Sequence, residues 1–271
     1  MKKAWRMFIR GLAKSLIFMC ILLGVGVLSY KAVLHLLHIP VKQPEVIAEP
    51  AFKQKDITTA ALDDISKNLI FCVDEDKGDI TKLLLEIFHC ADQKLYYITI
   101  PVNTQFTMSD TLYRELVLVD PAIPQVIKFS GIMNYFPEDK AYDYGVLLLE
   151  DLLDLKVSYF TVMPESVYHS IFVTDSSDTP KEIFTGEYKE YIQTLKTEKK
   201  VTDYLDRFYD TVTSNLSLTD KKKYVESYLE LSVEDISFEL IAGDQTNSAF
   251  LVDTAGAAGQ LAAMTGGIPR N

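Results

Sequence analysis

The 271-residue chain has few cysteines and few histidines, and each scarcity narrows the chemistry open to it. It carries three cysteines and four histidines, without a CxxC pair and without the Cys/His spacing of a metal site. Cys20 falls in an apolar N-terminal segment, which leaves Cys72 and Cys90, both in predicted strands. Those two could form one disulfide, but we expect free thiols, because strand cysteines are usually buried.

The sequence also lacks the short motifs of several common catalytic and nucleotide-binding sites. No GxSxG precedes a helix, and the only histidines beyond the N-terminal segment are His89, inside a predicted strand, and His169. Neither a P-loop nor a GxGxxG is present. A serine hydrolase, a P-loop enzyme and a dinucleotide-binding protein are therefore disfavoured.

Positive charge is in short supply, with 27 Lys and Arg residues against 38 Asp and Glu and a net charge of −11. Nucleic acid is excluded as the main partner, because phosphate binding needs clustered basic residues. An anionic ligand would need a local basic pocket or a bound cation. The apolar share of 48% is large enough for a sizeable core, so disorder of the whole chain is not expected.

Residues 1–38 have the pattern of a short basic segment followed by a membrane anchor. An uncharged run covers residues 15–30, and Lys31 can extend its charge to the interface so that the span continues to Leu37. Basic residues before the span place the N-terminus in the cytoplasm and the main domain outside. A cleaved signal peptide is the alternative, but no small-x-small site directly follows Leu28. We therefore predict an uncleaved, single-pass protein of the cell membrane.

The rest of the chain divides by composition. Residues 39–58 contain three prolines and no apolar period, which predicts an extended linker. Residues 59–264 are predicted to form one extracytoplasmic α/β domain, a mixed central β-sheet flanked by helices, and residues 265–271 a tail.

Apolar runs at residues 69–73, 83–90 and 95–100 predict neighbouring strands that are buried on both faces. Residues 142–155 carry apolar side chains at helical spacing and predict an amphipathic helix on the sheet. The stretch 103–120 has no clear period, and we predict a strand at residues 112–119.

An acidic turn, DEDKGD at residues 74–79, follows the first apolar run. Ligands of open α/β sheets gather beyond the carboxyl ends of strands. Asp74 and Asp79 could hold one Mg²⁺, which typically uses one or two carboxylates together with water and phosphate oxygens. A solvated acidic turn without a metal is the other interpretation, and the spacing alone favours it.

Several short segments occur in the order of one known family. Residues 68–74 (NLIFCVD) resemble its opening strand N-I-L-L-L-G-x-D, residues 77–80 its R-[ST]-D-T, and residues 100–104 (IPVNT) its I-P-R-D-T. Residues 126–130 stand where that family has a K-I-N element, and residues 213–217 resemble its T-N-L-S step. On these segments the chain resembles the LytR-CpsA-Psr family. Its members are membrane-anchored proteins that transfer glycopolymers from polyprenyl-pyrophosphate carriers to peptidoglycan.

The resemblance implies roles for particular residues. Asp74 and Asp79 match the family's metal-binding pair and imply Mg²⁺ as the cofactor. Lys128 stands in the K-I-N element, Asn103 in the I-P-R-D-T element, and Lys196 near the place of a later R-x-R. These three are the candidate contacts to a ligand.

The chain departs from the family at positions where the family has arginines. Asp76 stands where the family has an arginine after the first aspartate, and Val102 replaces the arginine of I-P-R-D-T. An arginine binds two phosphate oxygens through a planar, permanently charged fork. One such residue can be worth about 10³-fold or more in the rate of phosphoryl transfer. We therefore expect a degenerate member of the family, a pseudoenzyme in which transfer is weakened or lost.

Two alternatives stay open. The chain could be a non-enzymatic module, either a scaffold that contacts envelope-assembly proteins or a binder of a polyprenyl-linked lipid in a hydrophobic groove. It could also be an active Mg²⁺-dependent phosphotransferase in which Lys128 and Lys196 touch the phosphates.

Overall fold

The computed structural model describes residues 57–175 and 177–266. The predicted anchor, nearly all of the predicted linker and residues 267–271 of the predicted tail lie outside this range. Within it, none of the helices combines the length and the apolar character that crossing a membrane requires. The anchor and the topology that follows from it therefore stay predictions.

The described residues begin with four successive strands, and helices and further strands follow. The strands are β1 (Ile65–Val73), β2 (Ile80–His89), β3 (Lys94–Thr99), β4 (Gln105–Thr107), β5 (Val126–Lys128), β6 (Tyr159–Pro164), β7 (Phe172–Thr174), β8 (Pro180–Ile183), β9 (Thr213–Ser214), β10 (Ile236–Leu240), β11 (Gly243–Gln245) and β12 (Phe250–Val252). The α-helices are α1 (Asp110–Leu116), α2 (Ala141–Leu153), α3 (Glu165–Ile171), α4 (Gly186–Gln193), α5 (Glu198–Tyr209), α6 (Leu218–Lys221), α7 (Val225–Glu230) and α8 (Thr254–Thr265).

Six strands form the central sheet in the order β10-β3-β2-β1-β6-β9. β1 and β3 run antiparallel to β2, and β9 runs antiparallel to β6. β6 pairs parallel with β1, and β10 pairs parallel with β3. The prediction of a mixed central sheet is thereby confirmed.

Strands β1, β2, β3 and β6 send side chains into two apolar cores, one on each face of the sheet. Along β1, Leu69 and Phe71 enter the first core, whereas Ile70 and Cys72 enter the second. A strand buried on both faces needs a near-continuous apolar run, which is the pattern that predicted β1 to β3. Cys72 is buried, Cys90 is partly buried, and both are free thiols, as expected.

Helix α2 covers the first core, in agreement with the helix predicted at residues 142–155. Val146, Leu149 and Leu153 lie on its buried face at the spacing of one helical turn. Gly145 lets α2 approach the sheet closely, because a Cβ there would lie 2.8 Å from Cζ of Phe71.

The strand predicted at residues 112–119 is wrong. This stretch forms helix α1, whose N-cap Ser109 accepts a hydrogen bond from the amide of Leu112. Leu112 and Leu116, one turn apart, are buried in the first core. The cap and the four-residue spacing outweigh the β-type composition of this stretch.

Candidate functional site

The carboxyl ends of β1 and β6 lie side by side, since Val73 pairs with Pro164 in parallel register. The acidic turn follows β1, and helix α3 follows β6. The two segments are in contact, because Glu75 Oε1 accepts hydrogen bonds from the backbone amide of Ser166, at 3.3 Å, and from its hydroxyl. The acidic turn thus lies at the sheet edge where ligands of α/β proteins usually bind.

The carboxylate of Asp74 is engaged by its own turn. Its Oδ1 accepts hydrogen bonds from the amides of Asp76, at 2.9 Å, and Lys77, at 3.0 Å. The Lys77 ammonium lies 3.7 Å from Oδ2. The backbone closes the loop through Gly78, whose φ of +74° suits a glycine. The backbone hydrogen bonds from Lys77 and Asp76 lower the pKa of Asp74 below its ordinary value.

Asp74 and Asp79 lie at the two ends of this turn, where the amide of Asp74 donates to the carbonyl of Asp79 at 3.0 Å. No group of three or more potential metal-binding side chains occurs in the described part of the chain. Mg²⁺ can be held by two carboxylates and water. The remaining oxygen of Asp74 and the exposed carboxylate of Asp79 are the atoms that would hold it. Carboxylate oxygens are ligands that one hydrated Mg²⁺ accepts, and the Lys77 ammonium would compete with it for Asp74.

A partly buried cation beside the turn, Lys82, escaped the sequence analysis. It pairs with Cys72 across β1 and β2, and its side chain is only 11% exposed. Its ammonium lies 2.8 Å from Oε1 of Glu165 and 3.5 Å from Oδ2 of Asp178. Burial would lower the pKa of Lys82, but the hydrogen bond to Glu165 and the nearby charge of Asp178 raise it overall. Two carboxylates therefore neutralise this cation.

Asn103 and Lys128 both contact the β11–β12 hairpin, Asn103 at the end of β11 and Lys128 in the segment that joins the two strands. The Asn103 amide donates to Oε1 of Gln245 at 3.3 Å, and the Lys128 ammonium donates to the carbonyl of Ser248 at 2.8 Å. The backbone also holds these residues near each other, since the amide of Ser130 donates to the carbonyl of Val102 at 2.8 Å. The structure therefore brings these two candidates together on the side of the first core.

Lys196 lies elsewhere. It is an exposed residue between α4 and α5, and those helices pack on the second core through Tyr188 and Phe208. Lys128 follows Ile127, whose side chain lies in the first core. The structure thus places Lys128 and Lys196 on opposite faces of the sheet, and they do not form one cationic pocket.

In the described residues, no arginine forms a hydrogen bond or an ion pair with the acidic turn. In residues 57–175 and 177–266 the arginines are Arg114, exposed on α1, and Arg207, exposed on α5. The Arg207 guanidinium lies 5.1 Å from the ring centroid of Tyr191, far along the chain from the acidic turn.

A second buried charge pair lies under the second core. The Lys221 ammonium is 3.5 Å from Oε1 of Glu86 and donates to the hydroxyls of Tyr159, at 2.6 Å, and Tyr228, at 3.0 Å. Tyr97 donates to the other Glu86 oxygen at 2.9 Å. Burial opposes the charge of Lys221, but Tyr228 and Glu86 around it raise its pKa overall. Because its members satisfy one another away from the acidic turn, this network stabilises the fold.

No family model and no curated protein matches the chain. Solved structures do match. A proposed transcription regulator from Eubacterium siraeum is 11% identical with a TM-score of 0.51, over 79% of this chain and 97% of its own. TagV of Bacillus subtilis is 11% identical with a TM-score of 0.50, over 75% and 98%. A weaker likeness is to the LytR-CPS2A-psr family protein YwtF (TagT) with bound octaprenyl pyrophosphate lipid, 15% identical with a TM-score of 0.47, over 78% and 95%.

These neighbours are LytR-CpsA-Psr proteins, and the chain has their mixed α/β fold. The sequence resemblance is therefore confirmed at the level of the fold. At 11% identity the likeness extends to the fold alone.

Proposed function

We propose that the chain is a membrane-anchored, extracytoplasmic protein of cell-envelope assembly that binds a polyprenyl-linked glycopolymer without transferring it. The ordered sequence segments and the shared fold support the pathway. The basic segment and uncharged run at the N-terminus support the anchoring and the orientation.

The proposal that transfer is lost rests on the distribution of charge around the acidic turn. Asp76 is exposed in the turn and repels an anionic substrate. The partly buried cation of the neighbouring strand, Lys82, is neutralised by Glu165 and Asp178. Phosphoryl transfer depends on positive groups aimed at the charge that develops in the transition state. A single Mg²⁺ on Asp74 and Asp79 does not replace several guanidinium groups.

The candidate ligand contacts keep a role in binding. Lys128 uses one of its three donor hydrogens on Ser248, which leaves two for a phosphate oxygen. Asn103 lies beside it and offers a second polar contact. Lys196, on the other face, does not take part in this contact.

The test is a transfer assay with the full-length protein in detergent, a fluorescent polyprenyl-pyrophosphate glycan, peptidoglycan as acceptor and Mg²⁺. We expect no product above a metal-free blank, together with polyprenyl lipid that copurifies with the protein. Metal-dependent product that disappears in Asp79→Ala would show an active enzyme instead. Partners captured by cross-linking in membranes, with no copurifying lipid, would favour a scaffold.

A charge-reversal pair sharpens this test. Asp76→Arg places a guanidinium in the acidic turn, and Asp92→Arg makes the same change in the β2–β3 turn, at the opposite end of the strands. We expect Asp76→Arg to tighten binding of the diphosphate lipid about fivefold, the range of one exposed charge contact. Asp92→Arg should leave it unchanged, and equal effects of the two variants would contradict a site at the acidic turn.

A further inference from the structure

An open cavity of about 460 Å³ lies between α3 and α4, on the side of the second core. Its lining residues are Ser170, Thr185, Glu187, Tyr188 and Tyr191. The volume falls within the roughly 300–1,000 Å³ of small-molecule sites. Ser170 lies one helical turn beyond Ser166, which the acidic turn contacts, and none of the five lining residues belongs to the acidic turn.

The polar atoms of the lining are mostly acceptors. The Ser170 hydroxyl donates its hydrogen to the carbonyl of Val167 at 2.7 Å, and the Thr185 hydroxyl donates to the carbonyl of Ser170 at 2.8 Å. Each hydroxyl has one hydrogen, so each oxygen faces a ligand as an acceptor. Glu187 is exposed and adds two carboxylate oxygens. The complementary ligand is therefore rich in hydroxyl or amide donors.

Local charge disfavours an ionic ligand. An anion would meet the Glu187 carboxylate, and the guanidinium of Arg207, a cation beside the lining, is held against the Tyr191 ring. The nearby ammonium of Lys189 forms an ion pair with Glu182. A cation would compete with Arg207, whose guanidinium lies 5.1 Å from the centroid of the Tyr191 ring. A neutral ligand avoids both the repulsion by Glu187 and the competition with Arg207.

The two tyrosines supply a preorganised aromatic surface. The hydroxyls of Tyr188 and Tyr204 are hydrogen bonded at 2.9 Å, and the Tyr188 ring lies 5.7 Å from that of Phe184. Tyr191 is half-buried beside it, with ring centroids 6.3 Å apart. An aromatic ring offers apolar area to the C–H face of a sugar at little entropic cost.

We propose that this cavity binds a neutral sugar unit, with the tyrosines packing on the sugar ring and Ser170, Thr185 and Glu187 accepting from its hydroxyls. That the sugar belongs to an envelope glycan rests on the proposed function; the binding site itself does not.

The experiment is calorimetric titration of the full-length protein in detergent with triacetylchitotriose, maltotriose and lactose, and with choline and inorganic phosphate as charged probes. We expect saturable binding of at least one neutral oligosaccharide and none of the charged probes. Tyr191→Ala should weaken binding about tenfold or more, because it removes the ring that packs on the sugar. Glu187→Gln, at an exposed position, should weaken it severalfold without affecting folding.

Glu115→Gln is the matched control, an exposed glutamate on α1 with the same chemical change, and should bind as the wild type does. Binding of none of the three sugars, tighter binding of choline or phosphate, or sugar binding unaffected by both Tyr191→Ala and Glu187→Gln would overturn the proposal. Sugar binding without any copurifying polyprenyl lipid would keep the cavity and reject the proposed function. Copurifying polyprenyl lipid without sugar binding would keep the proposed function and reject the sugar site in the cavity.

Discussion

The buried pair of Lys221 and Glu86 should be one of the most sensitive points of the fold. Lys221→Met removes the ammonium and leaves the Glu86 carboxylate, in a residue only 8% exposed, with the Tyr97 hydroxyl as its main partner. An unpaired buried charge of this kind typically costs about 3–5 kcal/mol. The hydroxyl oxygens of Tyr159 and Tyr228 also lose the ammonium that donates to them. We expect the free energy of unfolding to fall by about 3–5 kcal/mol.

The assay is urea unfolding followed by circular dichroism, with the slope compared between variants so that a change in midpoint reports stability. The double variant Glu86→Leu with Lys221→Met should recover about 2 kcal/mol of the loss, because no charge is left buried. Full recovery is not expected, since the tyrosine hydroxyls stay unsatisfied. Lys223→Met is the matched control: its ammonium bonds Asp220 at 2.7 Å on the surface, and its removal should cause no measurable change. A loss below about 1 kcal/mol in Lys221→Met would refute this reasoning.

Three further predictions concern packing, reactivity and pH. Gly145→Ala should lower the melting temperature by a few degrees, because overpacking against Phe71 costs about 1–3 kcal/mol and exceeds the gain of about 1 kcal/mol in helix propensity; an unchanged or higher melting temperature would contradict the close approach of α2. Burial raises the pKa of the Cys72 thiol to about 12, so at pH 8 iodoacetamide should modify the partly buried Cys90 first and Cys72 only on unfolding, as peptide mass mapping would show; equal rates would argue against burial of Cys72. Because folding lowers the pKa of Asp74, its charged carboxylate stabilises the fold above the ordinary aspartate pKa of 3.8, and this stabilisation is lost as pH falls through the lower pKa of the folded state. Asp74→Asn should therefore flatten the acid limb of a plot of melting temperature against pH. Identical acid limbs in the two proteins would show that the turn hydrogen bonds do not act on this carboxylate.

The sheet could be predicted from sequence because its central strands are buried on both faces. That burial requires runs such as residues 69–73, which no amphipathic helix would show. The position of the acidic turn followed, since the turn begins where the run ends. Helix α1 could not be predicted in the same way, because its seven residues are too few for a helical period to stand out.

The site was harder to predict than the fold. A lysine or glutamate inside an apolar run has no visible partner in sequence, so the contacts of Lys82 with Glu165 and Asp178, each more than 80 residues away, emerge only in three dimensions. The separation of Lys128 and Lys196 onto opposite faces has the same origin. In the sequence, Lys128 and Lys196 both follow the first strands of the sheet. Only the packing of α4 and α5 determines on which face of the sheet Lys196 lies.

The most direct measurement is metal-dependent transfer of a polyprenyl-pyrophosphate glycan by the purified full-length protein, compared with the same protein carrying Asp79→Ala. If the edge of the sheet lacks the positive groups that phosphoryl transfer needs, neither protein should form product above a metal-free blank, while the polyprenyl lipid still copurifies with the wild type. Rapid, Mg²⁺-dependent product from the wild type that vanishes in Asp79→Ala would contradict the loss of catalysis.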